Sequence, residues 1–286
     1  MAQIDITRER SLFWLRIYDN YDDDKGYSFL TNDIIYEVID IKFPELEEMS
    51  PKGWTKSSGG NMLLWIPQNR VDIDTISSFI SWAEQANTHI WLGKNRNIEP
   101  YFDGALDYCI AADWNYDFTN AKRTLVGEAE YQIKYCLPRG EISEEDAEKQ
   151  AEILLNALLD CMDFLPIRRT KNLLITTIPA LVEDQKKLSW LMAQFIQEKY
   201  GGEFLTATLK KLKPKTKSLS VQEKVDIWKK IYSNDDIDFS DDVKGKKVLI
   251  IDDLYQSGAS IWAYAEYLKS IGAKKVYGLV SVKSQR

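Results

Sequence analysis

The chain has 286 residues, 44% of them hydrophobic and 28% charged, proportions of an ordinary globular protein with room for one large or two modest cores. With 37 Lys and Arg against 44 Asp and Glu, its formal charge is −7, which argues against nonspecific coating of nucleic acid but leaves a local basic patch open. No apolar run approaches bilayer-spanning length, and Met1 to Arg10 lack the basic-then-apolar order of a signal peptide, so a cytoplasmic protein with no membrane partner is expected. The three cysteines, Cys109, Cys136 and Cys161, are dispersed and form no Cys-x-x-Cys pair, and the one histidine is His89. A Cys/His zinc site is therefore not expected, and His89 reads as a packing or surface residue.

From Ser11 to about Asp117 the chain is rich in aromatics, with Trp14, Trp54, Trp65, Trp82, Trp91 and Trp114. Extended segments are expected at Ser11–Tyr18, Ile34–Ile41, Met62–Ile66 and Thr88–Gly93. Asp74 to Ala86 has helical spacing, with Ile76, Phe79, Ile80 and Ala83 on one side. Pro51-Lys52-Gly53 and Ser57-Ser58-Gly59-Gly60-Asn61 read as loops. The tryptophans could stack on bases, but large aromatics more often fill cores, and core is the preferred reading. Residues 1–118 are taken as an aromatic-rich N-terminal domain, α/β or α+β, of unknown function.

From about Asn120 helices and strands alternate. Asn120 to Tyr135 has helical spacing. Ser143 caps a clear helix with acids in its first turn, and Pro166 closes it. Leu173–Ile178 reads as a buried strand, Glu183–Tyr200 as a helix, and Glu203–Leu209 as a strand after the Gly201-Gly202 stop. A lysine-rich run, a helix near Val221–Tyr232 and the strand beginning at Lys247 follow. Continuous apolar strands separated by helices imply a buried parallel sheet, so residues 119–286 are expected to be an α/β domain.

The most informative stretch is Val248-Leu249-Ile250-Ile251-Asp252-Asp253-Leu254-Tyr255-Gln256-Ser257-Gly258-Ala259-Ser260. An apolar strand ends in two carboxylates, and a loop of small and hydroxyl residues opens a helix. Free N–H groups at such a helix start can hold a phosphate, and the carboxylates can accept hydrogen bonds from a ribose diol. This run resembles the phosphoribosyl pyrophosphate (PRPP) motif of type I phosphoribosyltransferases, with Gln256 where that family usually carries a hydroxyl. The continuation from Ser260-Ile261 through Gly272-Ala273-Lys274-Lys275-Val276-Tyr277 is most similar to the ComF-like (competence-associated) branch, though the Cys-rich module that often precedes that domain is missing. A response-regulator receiver also ends its first strand in paired acids, but only 33 residues follow Asp253 in this sequence, room for one helix and one strand.

The resemblance covers roughly residues 120–286 and implies a parallel-sheet, Rossmann-like phosphoribosyltransferase domain acting as a glycosyltransferase. It implies that Tyr255, Gln256, Ser257, Gly258, Ala259 and Ser260 hold the 5′-phosphate, that Asp252 and Asp253 act on the ribose as the catalytic pair, and that these acids also touch Mg2+. Pyrophosphate would fall to the short loop Thr177-Ile178-Pro179-Ala180-Leu181 with Lys186 and Lys187 beyond it. A mobile cationic hood would add Lys213, Lys215 and Lys217 from the run that begins at Lys210. The substrate is then PRPP or a related nucleotide, with an acceptor that no residue identifies. A non-catalytic PRPP- or nucleotide-sensing module and a DNA-processing accessory stay open beside the enzyme. So do a homodimer and a protein or nucleic-acid partner at the N-terminal domain.

Overall fold

The computed structural model describes residues 2–20, 25–94, 97–167, 172–182, 187–212, 218–233 and 236–284. They form two compact units: the first holds residues up to Trp91 together with Phe164–Pro166, and the second holds Leu92–Asp163 and everything from Ile167. The division expected at 118/119 from composition thus stands earlier, because Tyr108–Trp114 is a strand of the second unit's sheet. None of the described helices is long and apolar enough to cross a membrane.

The first unit is built on an antiparallel sheet of β1 (Ala2–Thr7), β2 (Trp14–Asn20), β3 (Gly26–Thr31), β4 (Thr55–Lys56) and β5 (Met62–Ile66), in the order β1-β2-β3-β5-β4. Leu15 and Ile17 of β2, Phe29 of β3, and Leu64 and Ile66 of β5 are buried and alternate with more exposed neighbours, the pattern of a sheet with one face on a core. Helices α1 (Asp33–Lys42), α2 (Pro44–Met49) and α3 (Ile73–Ala86) complete the unit, and β6 (Ile90–Trp91) lies where the chain passes to the second.

The segment 34–41, expected as a strand from its isoleucines, is the body of α1. Ile35, Val38 and Ile39 are the buried positions, one helical stripe at i, i+3 and i+4. Asn32 caps the helix by accepting from Ile35 N at 2.8 Å while its amide donates to the Leu12 carbonyl at 2.8 Å. Cap and stripe outweigh the β-propensity of the branched residues.

In the second unit, β7 (Tyr108–Trp114), β8 (Leu173–Thr177), β9 (Glu203–Phe204), β12 (Lys247–Tyr255) and β13 (Lys275–Lys283) pair in parallel in the order β7-β13-β12-β8-β9. Leu173–Thr176, Val248–Ile251 and Val276–Val282 are buried without interruption, as a sheet covered on both faces requires. Helices α4 (Leu125–Tyr131), α5 (Glu144–Met162), α6 (Leu188–Tyr200), α7 (Val221–Ser233) and α8 (Ala259–Ser270) connect them. The strand expected over 203–209 is broken into β9 and β10 (Ala207–Leu209), and β10 pairs with β11 (Ile237–Phe239) in a separate antiparallel ribbon.

The strand order carries a functional consequence. From β8 the chain goes outward to β9, whereas from β12 it goes the opposite way, to β13. The carboxyl ends of β8 and β12 are therefore a topological switch point, where open parallel sheets form a ligand crevice.

Candidate active site

A cleft of about 310 Å3 lies at this switch point. Its walls are the turn after β8 (Thr177–Ala180), the stretch Asp252–Ile261 and residues of α6 and α7.

Strand β12 runs through both acids to Tyr255 instead of ending at Ile251. Asp252 and Asp253 are half-buried, and the Asp253 N–H donates to Asp252 Oδ1 at 3.0 Å. The Ser281 hydroxyl donates to the Asp253 carbonyl, which ties the acid pair to β13. Asp252, together with burial as the larger cause, pushes the Cys109 thiol far up. All three cysteines are buried and none is in a disulfide.

The loop that follows is shaped by Gly258, the N-cap of α8, at φ +83°. A Cβ there would stand 2.3 Å from the Tyr255 hydroxyl, so both conformation and space favour glycine. Tyr255 itself is 3% exposed, and its hydroxyl accepts from Trp262 Nε1 at 3.0 Å. It can therefore serve an anion only through its backbone. Ser257 Oγ accepts from Ala259 N at 3.3 Å, and Lys283 Nζ donates to the Gln256 carbonyl at 3.3 Å. Gln256, Ser257 and Ser260 remain half-exposed on the cleft.

A cation that sequence reasoning passed over stands against the acids. Lys134 Nζ lies 2.7 Å from Asp253 Oδ2 and 3.1 Å from Glu130 Oε1. The helix expected over Asn120–Tyr135 is α4 from Leu125, capped by Thr124, and it widens into a π-helical turn over Gln132–Cys136. Such turns are frequent at functional sites, and this one carries Lys134. Burial works against the Lys134 charge, but Asp253 and Glu130 together hold the ammonium above the ordinary lysine range. Burial also raises the Glu130 carboxyl, with Lys134 opposing and Asp253 adding. The only local signal was a Glu-Lys pair at i, i+4, which on most helices is merely solvated.

Of the expected pyrophosphate residues, Lys187 lines the cleft, whereas Lys186, Lys213, Lys215 and Lys217 lie outside the described residues. The base of the lysine run is held by Lys210 and Lys211, which pair with Asp238 at 3.2 Å and Asp236 at 2.8 Å. Leu209 N donates to the Ala180 carbonyl at 2.9 Å, so this base abuts the turn after β8.

Helix α7 adds Lys224 and Trp228 to the wall, and α6 adds Trp190. A ring stack of Trp228 on Tyr232 (5.6 Å) and Tyr232 on Tyr264 and Tyr267 (5.9 and 4.9 Å) holds α7 on α8. These residues were invisible to motif reading because their role comes from packing.

Residues 206–285 match the family described as phosphoribosyl transferase domain, a span that includes the lysine run and the acid-pair motif but not β7 or β8. Among solved structures, a hypoxanthine phosphoribosyltransferase from Staphylococcus aureus aligns at 14% identity and TM-score 0.26, over 54% of this chain and 62% of that one. A purine phosphoribosyltransferase from Pyrococcus horikoshii aligns at 12% identity and TM-score 0.28, over 47% and 82%. The chain thus spans less than two thirds of the first of these. No curated protein matches it. Residues 206–285 of the second unit are thus similar to a phosphoribosyl transferase domain.

Proposed function

We propose that the second unit binds PRPP with Mg2+ and transfers ribose 5-phosphate to an acceptor, releasing pyrophosphate. The observation that carries this reading is the convergence of the acid pair and the Gly258 loop on one switch-point cleft with Lys134, Lys187 and Lys224. The loop amides and the start of α8 suit the 5′-phosphate, with Gln256, Ser257 and Ser260 adding side-chain contacts. Asp252 and Asp253 suit the ribose diol.

In the transfer, the bond from ribose C1 to the pyrophosphate oxygen breaks, its electron pair leaves with pyrophosphate, and a nucleophilic atom of the acceptor bonds to C1. Positive charge builds on the ring during that exchange, and the two carboxylates favour it. Lys187, Lys224 and the lysines of the run, Lys213, Lys215 and Lys217 among them, oppose the negative charge growing on the leaving group, as does Lys186. Trp190 and Trp228 offer apolar wall.

The donor set fits Mg2+ in a restricted way. Among the described residues no three His, Cys, Asp or Glu side chains gather to hold a metal. Two adjacent carboxylates suit an ion that keeps waters and takes further oxygens from a phosphorylated substrate. Asp252 and Asp253 would hold it, and it would neutralise pyrophosphate oxygens as the bond breaks.

The ComF-like assignment rests on the run Ser260 to Tyr277. A non-catalytic PRPP- or nucleotide-sensing module is the second reading, favoured by the short turn after β8, which offers no arginine over Thr177–Val182. A pyrophosphate-release screen with PRPP, Mg2+ and a panel of nucleobases separates the two. Release with one acceptor is expected. PRPP binding without release for any acceptor supports the sensing module, and no PRPP binding removes both.

A further inference from the structure

One oxygen of the acid pair, Asp253 Oδ2, already faces a cation. Lys134 Nζ occupies Asp253 Oδ2 at 2.7 Å and holds Glu130 Oε1 at 3.1 Å. Glu130 is 4% exposed. An ammonium at that distance engages one of the two carboxylate oxygens through which a metal could bind. It also relieves the repulsion between neighbouring acids that would otherwise draw a metal in. A free divalent cation approaching Asp253 meets a positive charge already in place.

Glu130 gives the arrangement a second state. If Asp253 is engaged by something else, Lys134 keeps a carboxylate partner and is not left as an unpaired buried charge, the state that makes broken ion pairs costly. The π-helical turn over Gln132–Cys136 presents Lys134 to the cleft while Glu130 stays one turn behind it in α4. One ammonium between two carboxylates, one in the cleft and one beneath it, can pass from the first to the second.

On the phosphoribosyl reading above, we propose that Lys134 is a resident counter-cation that keeps a divalent metal off Asp253 until PRPP arrives. Metal and PRPP then enter together. A metal complexed to PRPP carries net negative charge, so the repulsion that Lys134 exerts on the bare ion becomes attraction. Lys134 releases Asp253 to the complex and settles on Glu130. It acts as a positioning residue that sets the order of binding.

The test is Mn2+ binding, read from the electron paramagnetic resonance signal of free Mn2+, for the full chain and for Lys134→Met, each with and without PRPP. The unaltered protein is expected to bind little Mn2+ alone and to take it up when PRPP is added. Lys134→Met is expected to bind Mn2+ alone about tenfold tighter or more, the order of effect of removing a like charge from a half-buried site. If the lone Glu130 charge unfolds that variant, Lys134→Met with Glu130→Gln carries the same comparison. Equal Mn2+ binding without PRPP by the unaltered and substituted proteins, both still binding PRPP with Mn2+, would overturn the proposal and leave the phosphoribosyl reading standing. Failure of the unaltered protein to bind PRPP with Mn2+ would remove that reading and the ordered entry with it.

Discussion

The two units spend their polar groups differently. In the first, buried or half-buried hydroxyls and amides close the fold on itself. Thr31 Oγ1 donates to the Trp14 carbonyl at 2.7 Å, Asn32 serves both a helix cap and Leu12, and Ser11 Oγ accepts from Trp91 N at 2.9 Å. Its aromatics behave likewise: Phe79 meets Phe29, Phe43 and Trp82 with ring centroids 5.3–6.0 Å apart. In the second unit, Asp252, Asp253, Lys134 and Lys224 collect on one cleft, where the sheet does not need them. Polar groups that the fold consumes stabilise it, whereas groups that the fold leaves converging at strand ends are available for chemistry. Trp91 and Trp82 of the first unit are packed into it, whereas Trp65 is exposed. Trp91 is 1% exposed, and Trp82 packs on Phe13, Phe43, Phe79 and Phe164. His89 is buried against the Phe164 ring at 5.1 Å.

That contrast can be broken in several ways. The largest effect is expected from shortening the chain to begin at Thr119. This removes β7, which pairs with β13 along Tyr108–Trp114, and exposes the flank of a strand that is otherwise buried. An unpaired apolar edge is an aggregation site, so the shortened chain should be insoluble, and a monodisperse folded species in gel filtration would contradict the assignment of β7. Next, Phe79→Ala should lower the unfolding free energy by about 3–5 kcal/mol in denaturant melts, the usual cost of deleting a buried aromatic ring. A loss under about 1 kcal/mol, the range of surface changes and mild repacking, would mean the cluster is not core. Gly258→Ala should cost about 1–3 kcal/mol, from positive φ and the close Tyr255 hydroxyl, and should weaken PRPP binding in the same titration that shows the fold intact. The smallest effect on stability belongs to Lys213, Lys215 and Lys217 replaced together by Ala. Melts should shift by no more than about 0.5 kcal/mol, the usual effect of a charged-residue change that removes no packed side chain, while turnover with the acceptor falls. Full turnover would mark the run as a solvated face.

Much of the second unit was legible because chemistry and local structure coincide in one contiguous stretch. Val248–Ser260 encodes strand, acids, glycine turn and helix start in a single window, and the structure keeps them together, with the strand running on through the acids to Tyr255. The aromatic N-terminal region was less legible: α1 was hidden because Ile34 and Ile41 suggest a strand, and only Asn32 with the stripe Ile35, Val38 and Ile39 reveals a helix. Lys134 could not be read as a site residue from its Glu130 pair alone, since its meaning depends on Asp253, far away in sequence and brought to 2.7 Å only by the fold. Trp228 and Lys224 are the same case, placed by a ring stack between two helices. The domain boundary was misjudged because Trp114 looks like its aromatic neighbours upstream, while its strand pairs with β13 at the far end of the chain.

The central claim is that the acid pair of the second unit holds PRPP. Calorimetric titration of PRPP with Mg2+ into the unaltered protein and into Asp252→Asn/Asp253→Asn tests it most directly. Losing the charge-assisted contacts to the ribose, about 1.5–3 kcal/mol each, should weaken affinity by an order of magnitude or more. The thermal melt of the double variant should stay cooperative, since Glu130 remains to pair Lys134. A folded double variant that binds PRPP as tightly as the unaltered protein would contradict the account.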